Sequence, residues 1–173
     1  LAQAARQAGV PLELAGDGPL RESLVRRFPE ARFHGWLDRD ALARVIRGAR
    51  LVALPTRYPE PFGLVAVEAL SHGIPVLASD TALLSGEIVA HGMGARFRAT
   101  DVEDCAAALR RLAADDAAIA CMAAQARTHA AGLASTPAQW CDALLARYTA
   151  ALERGHRVAS PGLVPRSSPT GQG

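Results

Sequence analysis

The chain has 173 residues, half of them apolar, and a formal net charge of +2 at pH 7, so it is long enough for one domain with its own hydrophobic core. No apolar run approaches the roughly 20 residues of a membrane-spanning helix, and the basic residues are scattered, which argues against a membrane span and against nucleic acid as a partner. All 19 basic side chains are arginine, so any lysine that the chemistry needs must come from elsewhere.

The chain begins with residues 1–8, which have the pattern of a helix end without an N-cap or an initiator methionine, so we expect further sequence ahead of them. Short strand-like apolar runs then alternate with amphipathic stretches, as in βα units wound into a parallel sheet. The predicted strands cover residues 12–15, 31–34, 51–54, 75–78 and 95–98. The predicted helices between them cover residues 20–27, 38–47, 63–72 and 85–90. The predicted fold class is α/β, a Rossmann-like parallel sheet flanked by helices.

Beyond Asp101 the strand pattern ends, and three helices are predicted, over residues 102–114, 117–131 and 137–154. Thr136 is a good N-cap, and Pro137 follows at the first helical position. We expect these helices to pack beside the sheet, within one domain of residues 1–154.

The last 19 residues, 155–173, are rich in Pro, Ser and Gly and are predicted to be disordered. Within them, Leu163-Val-Pro-Arg166 resembles a thrombin cleavage site from an expression vector. We therefore expect this tail to have no part in the function.

The strongest functional signal lies between Tyr58 and Asp80. A buried strand ends near Leu54, and a helix is predicted to begin around Phe62 and Gly63, at the sheet edge where such folds bind ligands. The amides of Phe62, Gly63 and Leu64 are expected to be free first-turn donors that form a phosphate seat with the helix dipole. Gly63 is expected to let the phosphate approach closely, so that Gly63→Val would abolish nucleotide binding with little change in melting temperature.

Two glutamates bracket this seat. Glu68 is predicted on the second helical turn, where its carboxylate can accept hydrogen bonds from a vicinal diol such as a ribose. Glu60 precedes the helix, where its carboxylate can meet the hydroxyls of a sugar beyond the phosphate. Glu60 has an alternative role as a complement to the helix dipole, and Glu68 as a solvated helix charge. The apolar neighbours of Glu68 favour a partly buried carboxylate that needs partners, and hence a site.

The sequence here resembles glycosyltransferase family 4, whose members have the two-domain GT-B fold, through Glu60-Pro-Phe-Gly-Leu-Val-Ala-Val-Glu68-Ala-Leu and His72-Gly-Ile-Pro-Val. The resemblance extends over about residues 12–148 and includes Ala15-Gly-Asp-Gly-Pro-Leu-Arg-Glu, Phe33-His-Gly-Trp-Leu and Gly86-Glu-Ile-Val. It implies that the chain is the C-terminal, nucleotide-sugar-binding half of a GT-B glycosyltransferase, with the first strand missing.

The resemblance also implies a role for each site residue. Glu60, the catalytic-site residue, contacts the donor sugar, and Glu68 contacts the ribose. The segment Phe62, Gly63 and Leu64 contacts the sugar hydroxyls and the distal phosphate. Gly16 lines the nucleotide cleft, and the backbone around Trp36 and Leu37 meets the base.

The chain departs from the family pattern in two respects. Family members usually carry a glycine pair after Ala-Ser-Asp, where this chain has Thr81-Ala-Leu-Leu. The Arg and Lys that hold the donor diphosphate in the family lie upstream of these residues, and so does the acceptor domain. The chain by itself is therefore expected to fold but to transfer no sugar.

The parent enzyme implied by the resemblance transfers a sugar from a nucleotide diphosphate sugar to a hydroxyl, with retention of configuration and without a cofactor or a required metal. We expect a bacterial protein of glycan biosynthesis, and peripheral membrane association of the parent is left open. Two alternatives also stay open: a catalytically silent nucleotide-sugar-binding module, and a GT-B epimerase or phosphorylase.

Cys105, Cys121 and Cys141 have neither disulfide nor metal spacing, and their number is odd. They are predicted to be reduced, buried thiols, which indicates a cytoplasmic location. Trp140 and Tyr148 lie close to one helical face and are predicted to be core residues.

Other polar residues are assigned to the fold rather than to a site. Asp115-Asp116 lacks the further oxygen ligands of a cation site, and the histidines show no ligand spacing, so no metal site is predicted. His72 is assigned to a helix end before Gly73, a predicted C′ glycine.

Overall fold

The computed structural model describes the backbone of residues 1–158 and the side chains of residues 1–154. The chain divides into two compact units, Leu1–Ala134 and a second unit that begins at Ser135. The described strands all lie in the first unit: β1 Glu13–Ala15, β2 Arg32–Gly35, β3 Val52–Leu54, β4 Val76–Ser79 and β5 Gly94–Phe97. Each of them overlaps a predicted strand.

Helices alternate with these strands as predicted. The helices of the first unit are α1 Ala2–Ala8, α2 Arg21–Arg27, α3 Arg39–Gly48, α4 Leu64–Ser71, α5 Ser85–Ala90, α6 Val102–Ala114 and α7 Asp116–His129, with a 3-10 turn at Ala130–Gly132. In the described part of the chain, no helix has the length and apolar character of a membrane span.

The described part of the second unit is α8, Pro137–Val158. Its start is capped reciprocally: the Gln139 N–H donates to the Thr136 Oγ1 at 3.2 Å, and the Thr136 N–H donates to the Gln139 Oε1 at 2.9 Å. This capping box confirms the predicted N-cap. α8 continues four residues past the predicted helix end at Arg154, and the rest of the predicted tail, residues 159–173, lies outside the described residues.

All strand pairs are parallel, as predicted, but the strands form two ladders. β1 pairs with β2, and β3, β4 and β5 form a three-stranded ladder with β4 in the centre. No backbone ladder joins β1 to β3 within the described residues. The segments of β1 and β3 nevertheless contribute to one hydrophobic core. Leu12, just before β1, and Leu51, just before β3, pack against the same apolar cluster.

Helices cover both faces of β4, whose side chains alternate between the faces. Val76 and Ala78 belong to a cluster that includes α4, α5 and α7 residues. Leu77 belongs to the opposite cluster, with residues of α1 and α6. All four residues of β4 are buried, as expected for a central parallel strand. The sheet edge that carries the predicted site is therefore anchored by a fully buried strand.

Aspartates begin three of the helices. Asp38, Asp101 and Asp115 each accept a hydrogen bond at 2.7–2.9 Å from the backbone N–H three residues further on, which satisfies a first-turn donor. Asp116 forms an ion pair with Arg50 at 2.6 Å. A helix cap and a surface ion pair therefore account for the Asp115-Asp116 pair.

Two predictions of burial are wrong. Cys105 is buried, and its burial raises the pKa of the thiol, but Cys121 and Cys141 are exposed. Trp140 and Tyr148 are also exposed, with 59% and 61% of their surface accessible. Helical spacing shows that two side chains share a face, but it does not show that another element covers that face.

Gly94 begins β5 at a point where the backbone of β4 comes very close. A Cβ at this position would lie 1.9 Å from the carbonyl oxygen of Val76. We predict that Gly94→Ala lowers the free energy of unfolding by about 3 kcal/mol or more, because the backbone must move to relieve the overlap. Urea denaturation measures the loss.

Gly48→Ala is the matched control, since a Cβ at Gly48 would meet nothing within 4 Å. Its effect should stay within about 1 kcal/mol. A Gly94→Ala protein as stable as the unmodified chain would contradict the close pairing of β4 and β5.

Candidate functional site

The predicted site residues follow the carboxyl ends of three parallel strands. Gly16 comes directly after β1, and Trp36 and Leu37 come directly after β2. The other predicted site residues follow β3, in the loop before α4 and in α4 itself: Glu60, Phe62, Gly63, Leu64 and Glu68. Carboxyl ends of parallel strands are where α/β folds place their ligand sites.

The structure brings Gly16 and the Trp36 segment together. The Gly16 N–H donates to the carbonyl oxygen of Gly35 at 2.7 Å, so the turn after β1 is tied to the last residue of β2, directly before Trp36. The indole of Trp36 is 76% exposed, and Leu37 is half-buried. This pair of turns therefore presents an open backbone and a solvent-facing aromatic ring.

Glu60 is held by its backbone and by its carboxylate. Its carbonyl oxygen accepts from the Leu83 N–H at 3.1 Å, and an isolated parallel bridge pairs it with Ala82. Its carboxylate Oε1 accepts from the Gly63 N–H at 3.3 Å. The side chain is half-buried. The carboxylate is therefore fixed at the entrance to α4.

Tyr58 is a second partner of the Glu60 carboxylate. The hydrogen bond with Glu60 and the negative charge of its carboxylate raise the pKa of the Tyr58 phenol above its ordinary value, since both favour the protonated hydroxyl. The Tyr58 ring is 62% exposed. The Glu60 carboxylate thus accepts from a backbone amide and favours the protonated form of the Tyr58 phenol.

The predicted role of Gly63 is wrong in two respects. Its N–H is not a free donor, because it donates to Glu60. Its open side does not face a ligand: Gly63 is buried, and a Cβ would lie 3.0 Å from the Leu54 Cδ2 and 3.6 Å from the Leu84 Cδ1. The residue takes a left-handed conformation, with φ +52°, as the N-cap of α4. Gly63 therefore serves the turn and the core beneath it.

Open amide donors remain at the start of α4, at the predicted Leu64 and at Val65, which follows it. Within the described residues, no acceptor faces the N–H groups of Leu64 and Val65. The Leu64 side chain is 75% exposed, and Phe62 just before it is 71% exposed. First-turn amides at an open helix end attract an anion.

Glu68 lies on the solvent-facing side of α4, one turn after Leu64. The opposite side of the helix is buried through Ala66, Ala69 and Leu70. Glu68 is half-buried, as its apolar neighbours predicted. The helix ends at His72, and Gly73 follows with φ +73°, which confirms the predicted C′ glycine.

No described residue forms an ion pair with Glu60 or Glu68. In the part of the chain that the structure describes, the ion pairs involve other acids: Glu13, Glu22, Glu30, Asp101, Asp104 and Asp116. The site therefore offers carboxylate acceptors for hydroxyl groups and amide donors for an anion.

Three hydroxyl residues near Glu60 were not predicted: Thr56, Tyr58 and Thr81. The Thr81 Oγ1 donates to the carbonyl oxygen of Thr56 at 2.7 Å. A signal for two of them was present in the sequence, because Thr56 and Thr81 each lie two residues beyond the end of a strand, β3 and β4, that pair side by side. Hydroxyls at equivalent positions past neighbouring strands can reach each other's backbone.

Residues 1–115 of the chain match the family model of group 1 glycosyl transferases. The chain belongs to this family. The matched residues include every predicted site residue, and the resemblance inferred from the sequence is confirmed.

The two relatives compared here are longer than this chain. It is 40% identical over 117 residues to the D-inositol 3-phosphate glycosyltransferase of Nocardia farcinica, a match that covers 68% of this chain and 25% of that protein. It is 35% identical over 165 residues to the glycogen synthase of Mycobacterium tuberculosis, which covers 90% of this chain and 38% of that protein. The group 1 chain described here thus spans less than two fifths of these relatives.

The fold of this group 1 chain is also that of solved glycosyltransferases. The structure of Anabaena HepE in complex with UDP and glucose superposes with a TM-score of 0.64 and 25% identity, over 76% of this chain and 39% of that one. The neighbours are GT-B structures, so the predicted α/β fold class is confirmed.

The packing around Gly63 predicts how a side chain at this position changes the stability of the chain. We predict that Gly63→Ala lowers the free energy of unfolding by about 1–3 kcal/mol, because an L-residue is strained at this positive φ and its Cβ crowds Leu54. Gly63→Val should cost more. Gly18→Ala is the control, with nothing within 4 Å of its Cβ. If the urea denaturation curves of Gly63→Ala, Gly63→Val and Gly18→Ala coincide, a side chain at position 63 points into open space and the prediction is wrong.

The contact between Tyr58 and Glu60 can be measured by titration. We predict that Glu60→Gln lowers the pKa of Tyr58 toward its ordinary value of 10.0, because the charge that favours the protonated phenol is removed. With Glu60 intact, the hydrogen bond persists below this raised pKa and is lost as the pH rises through it. Ultraviolet titration in a Tyr148→Phe background isolates Tyr58. Glu68→Gln, the matched control, should leave the titration unchanged, and an equal shift in both variants would contradict the contact.

Proposed function

We propose that this chain is the donor-binding domain of a retaining glycosyltransferase, which transfers a sugar from a nucleotide diphosphate sugar to a hydroxyl acceptor. One observation carries the proposal: Glu60, the open amides of Leu64 and Val65, and Glu68 follow one another along the start of α4. This order matches the order of chemical groups in a nucleotide sugar.

The open first turn of α4 is the proposed seat of the distal phosphate. The N–H groups of Leu64 and Val65 point out of the helix end, where the helix dipole adds about half a positive charge. The exposed side chains of Phe62 and Leu64 flank this end and would shield it from water. Amide bonds to a phosphate strengthen when water is excluded.

Glu68 is the proposed ribose ligand. It lies one turn beyond the phosphate seat, on the solvent-facing side of α4, and no side chain of the described residues forms an ion pair with it. A carboxylate can accept two hydrogen bonds from adjacent hydroxyls. Leu64 and Glu68 are one turn apart, about 6 Å along the helix axis. This distance suits a ribose joined to the phosphate.

Glu60 is the proposed ligand of the donor sugar and the residue nearest to the reacting carbon. Its carboxylate lies ahead of the phosphate seat and is oriented by Gly63 and Tyr58. In this proposal Glu60 positions the sugar and does not act as a nucleophile. Positioning of this kind is a large part of the catalytic effect in group transfer.

The base is proposed to lie over the turns after β1 and β2. Gly16 leaves the backbone accessible, and Trp36 and Leu37 supply an aromatic and an apolar side chain. The turns are tied by the Gly16–Gly35 hydrogen bond, so they would bind the base as one surface.

The departing diphosphate needs more positive charge than two amides supply. In the proposal, an Arg and a Lys from a segment upstream of these residues stabilise it, together with the amides of α4. No cofactor or metal is part of the proposal. HepE was solved with UDP and glucose, so UDP and UDP-glucose are the first ligands to test.

The cellular location of the parent enzyme is also part of the proposal. Its matched relatives include bacterial enzymes, and Cys121 and Cys141 are exposed and free. Exposed thiols stay reduced in a cytoplasm, so we place the enzyme in the bacterial cytoplasm, in glycan biosynthesis.

Calorimetric titration of two variants tests the proposal. We predict that Glu68→Ala weakens UDP and UDP-glucose equally, by about 10- to 150-fold, because it removes charge-assisted bonds to the ribose. Glu60→Ala should weaken UDP-glucose and leave UDP within about twofold, because Glu60 meets only the sugar. GDP, ADP and their glucose conjugates are titrated in parallel, at high protein concentration.

Glu103→Ala is the matched control, an exposed acid in the first turn of α6. It should bind as the unmodified chain does. Equal losses for the bare nucleotide in Glu60→Ala and Glu68→Ala would contradict the assigned roles. No binding of any nucleotide by the unmodified chain would count against the donor-domain role itself.

A further inference from the structure

The loop that carries Glu60 is tied to the segment after β4 at two points. One is the backbone bridge between Glu60 and Ala82, in which the Leu83 N–H donates to the Glu60 carbonyl oxygen. The other uses a side chain, because the Thr81 Oγ1 donates to the Thr56 carbonyl oxygen at 2.7 Å. Thr81 is thus the side chain whose replacement would release the start of this loop.

Thr81 is itself anchored in the buried end of β4. Its Oγ1 lies 3.1 Å from the Oγ of Ser79, and Ser79 has no exposed surface. A hydroxyl has one hydrogen to donate. Because Thr81 donates its hydrogen to Thr56, the Ser79 hydroxyl is the donor in the other bond. The result is a directed chain from the buried Ser79, through Thr81, to the backbone of the loop.

The chain of hydrogen bonds continues inside the loop. The Thr56 Oγ1 donates to the carbonyl oxygen of Tyr58 at 3.2 Å. Loops between strands and helices are the mobile parts of such folds. A set of hydrogen bonds from the buried end of β4 to the backbone of residues 56–58 restricts that motion. Glu60, whose carboxylate raises the pKa of the Tyr58 phenol, follows two residues later.

We propose that Thr81 is a positioning residue of the site. It holds the loop of residues 56–60, so that the Glu60 carboxylate is already oriented to bind the donor sugar. The role in sugar binding rests on the proposed function, whereas the role in fixing the loop does not.

The first test needs no ligand, because Tyr58 reports the position of the Glu60 carboxylate. In the Tyr148→Phe background, Thr81→Val keeps the shape of the side chain and removes the hydroxyl. The pKa of Tyr58 should fall toward its value in Glu60→Gln. Thr81→Ser restores the hydroxyl and should restore the titration. A Tyr58 titration that is the same in Thr81→Val as in the unmodified chain would overturn the proposal.

Two further variants separate loop positioning from general stability. Thr128→Val is the matched control, since the Thr128 Oγ1 bonds only its own helix, at the Ala124 carbonyl oxygen, and it should not move the titration. If Thr81→Val unfolds because the buried Ser79 hydroxyl loses its partner, Ser79→Ala/Thr81→Val removes both hydroxyls and keeps the measurement feasible. A normal Tyr58 titration in that double variant would likewise overturn the proposal.

The second test uses UDP-glucose and UDP as probes. Thr81→Val should weaken UDP-glucose by about 2- to 10-fold, the range for one lost hydrogen bond, and leave UDP unchanged. Combined with Glu60→Ala it should add no further loss, because Thr81 acts through Glu60. A further loss of UDP-glucose affinity in the double variant would show that Thr81 does not act through Glu60. If the Tyr58 titration responds but neither probe binds the unmodified chain, the loop role stands and the proposed function fails.

Discussion

Gly63 turns the chain from the Glu60 loop into α4, and the rest of the site depends on that turn. In the left-handed region, its N–H turns back to the Glu60 carboxylate, while the absence of a side chain lets Leu54 and Leu84 close beneath it. The helix then begins at Leu64 with its next amides facing outward. One backbone conformation thus sets the direction of the carboxylate, the start of the helix and the packing of the loop on the core.

The sequence predicted the elements well because each rests on local chemistry. The buried run of β4, the aspartate caps and the capping box at Thr136 are all properties of a few adjacent residues. The divided sheet could not be predicted, because strand partners depend on distant backbone groups. The exposure of Trp140 and Tyr148 was missed for the same reason, since burial depends on a covering element that periodicity does not reveal.

The placement of the candidate site residues in the fold was predicted in outline and corrected in detail. The Glu60 and Glu68 positions follow from spacing on a strand–loop–helix unit, which sequence alone can give. The role of Gly63 could not be given, because a glycine motif does not show which side of the backbone is open. Thr81 lies 25 residues after Thr56 in sequence, and only the parallel pairing of β3 with β4 brings them together.

The divided sheet has a consequence for the behaviour of the chain in solution. Within the described residues, β1 and β3 each have one side without a backbone partner, and unpaired strand edges are templates for strand addition. Each edge is only three residues long, so neither offers much pairing alone. An extended segment that met both edges at once would fuse the two ladders and satisfy two rows of amides and carbonyls. Such a segment would complete the sheet.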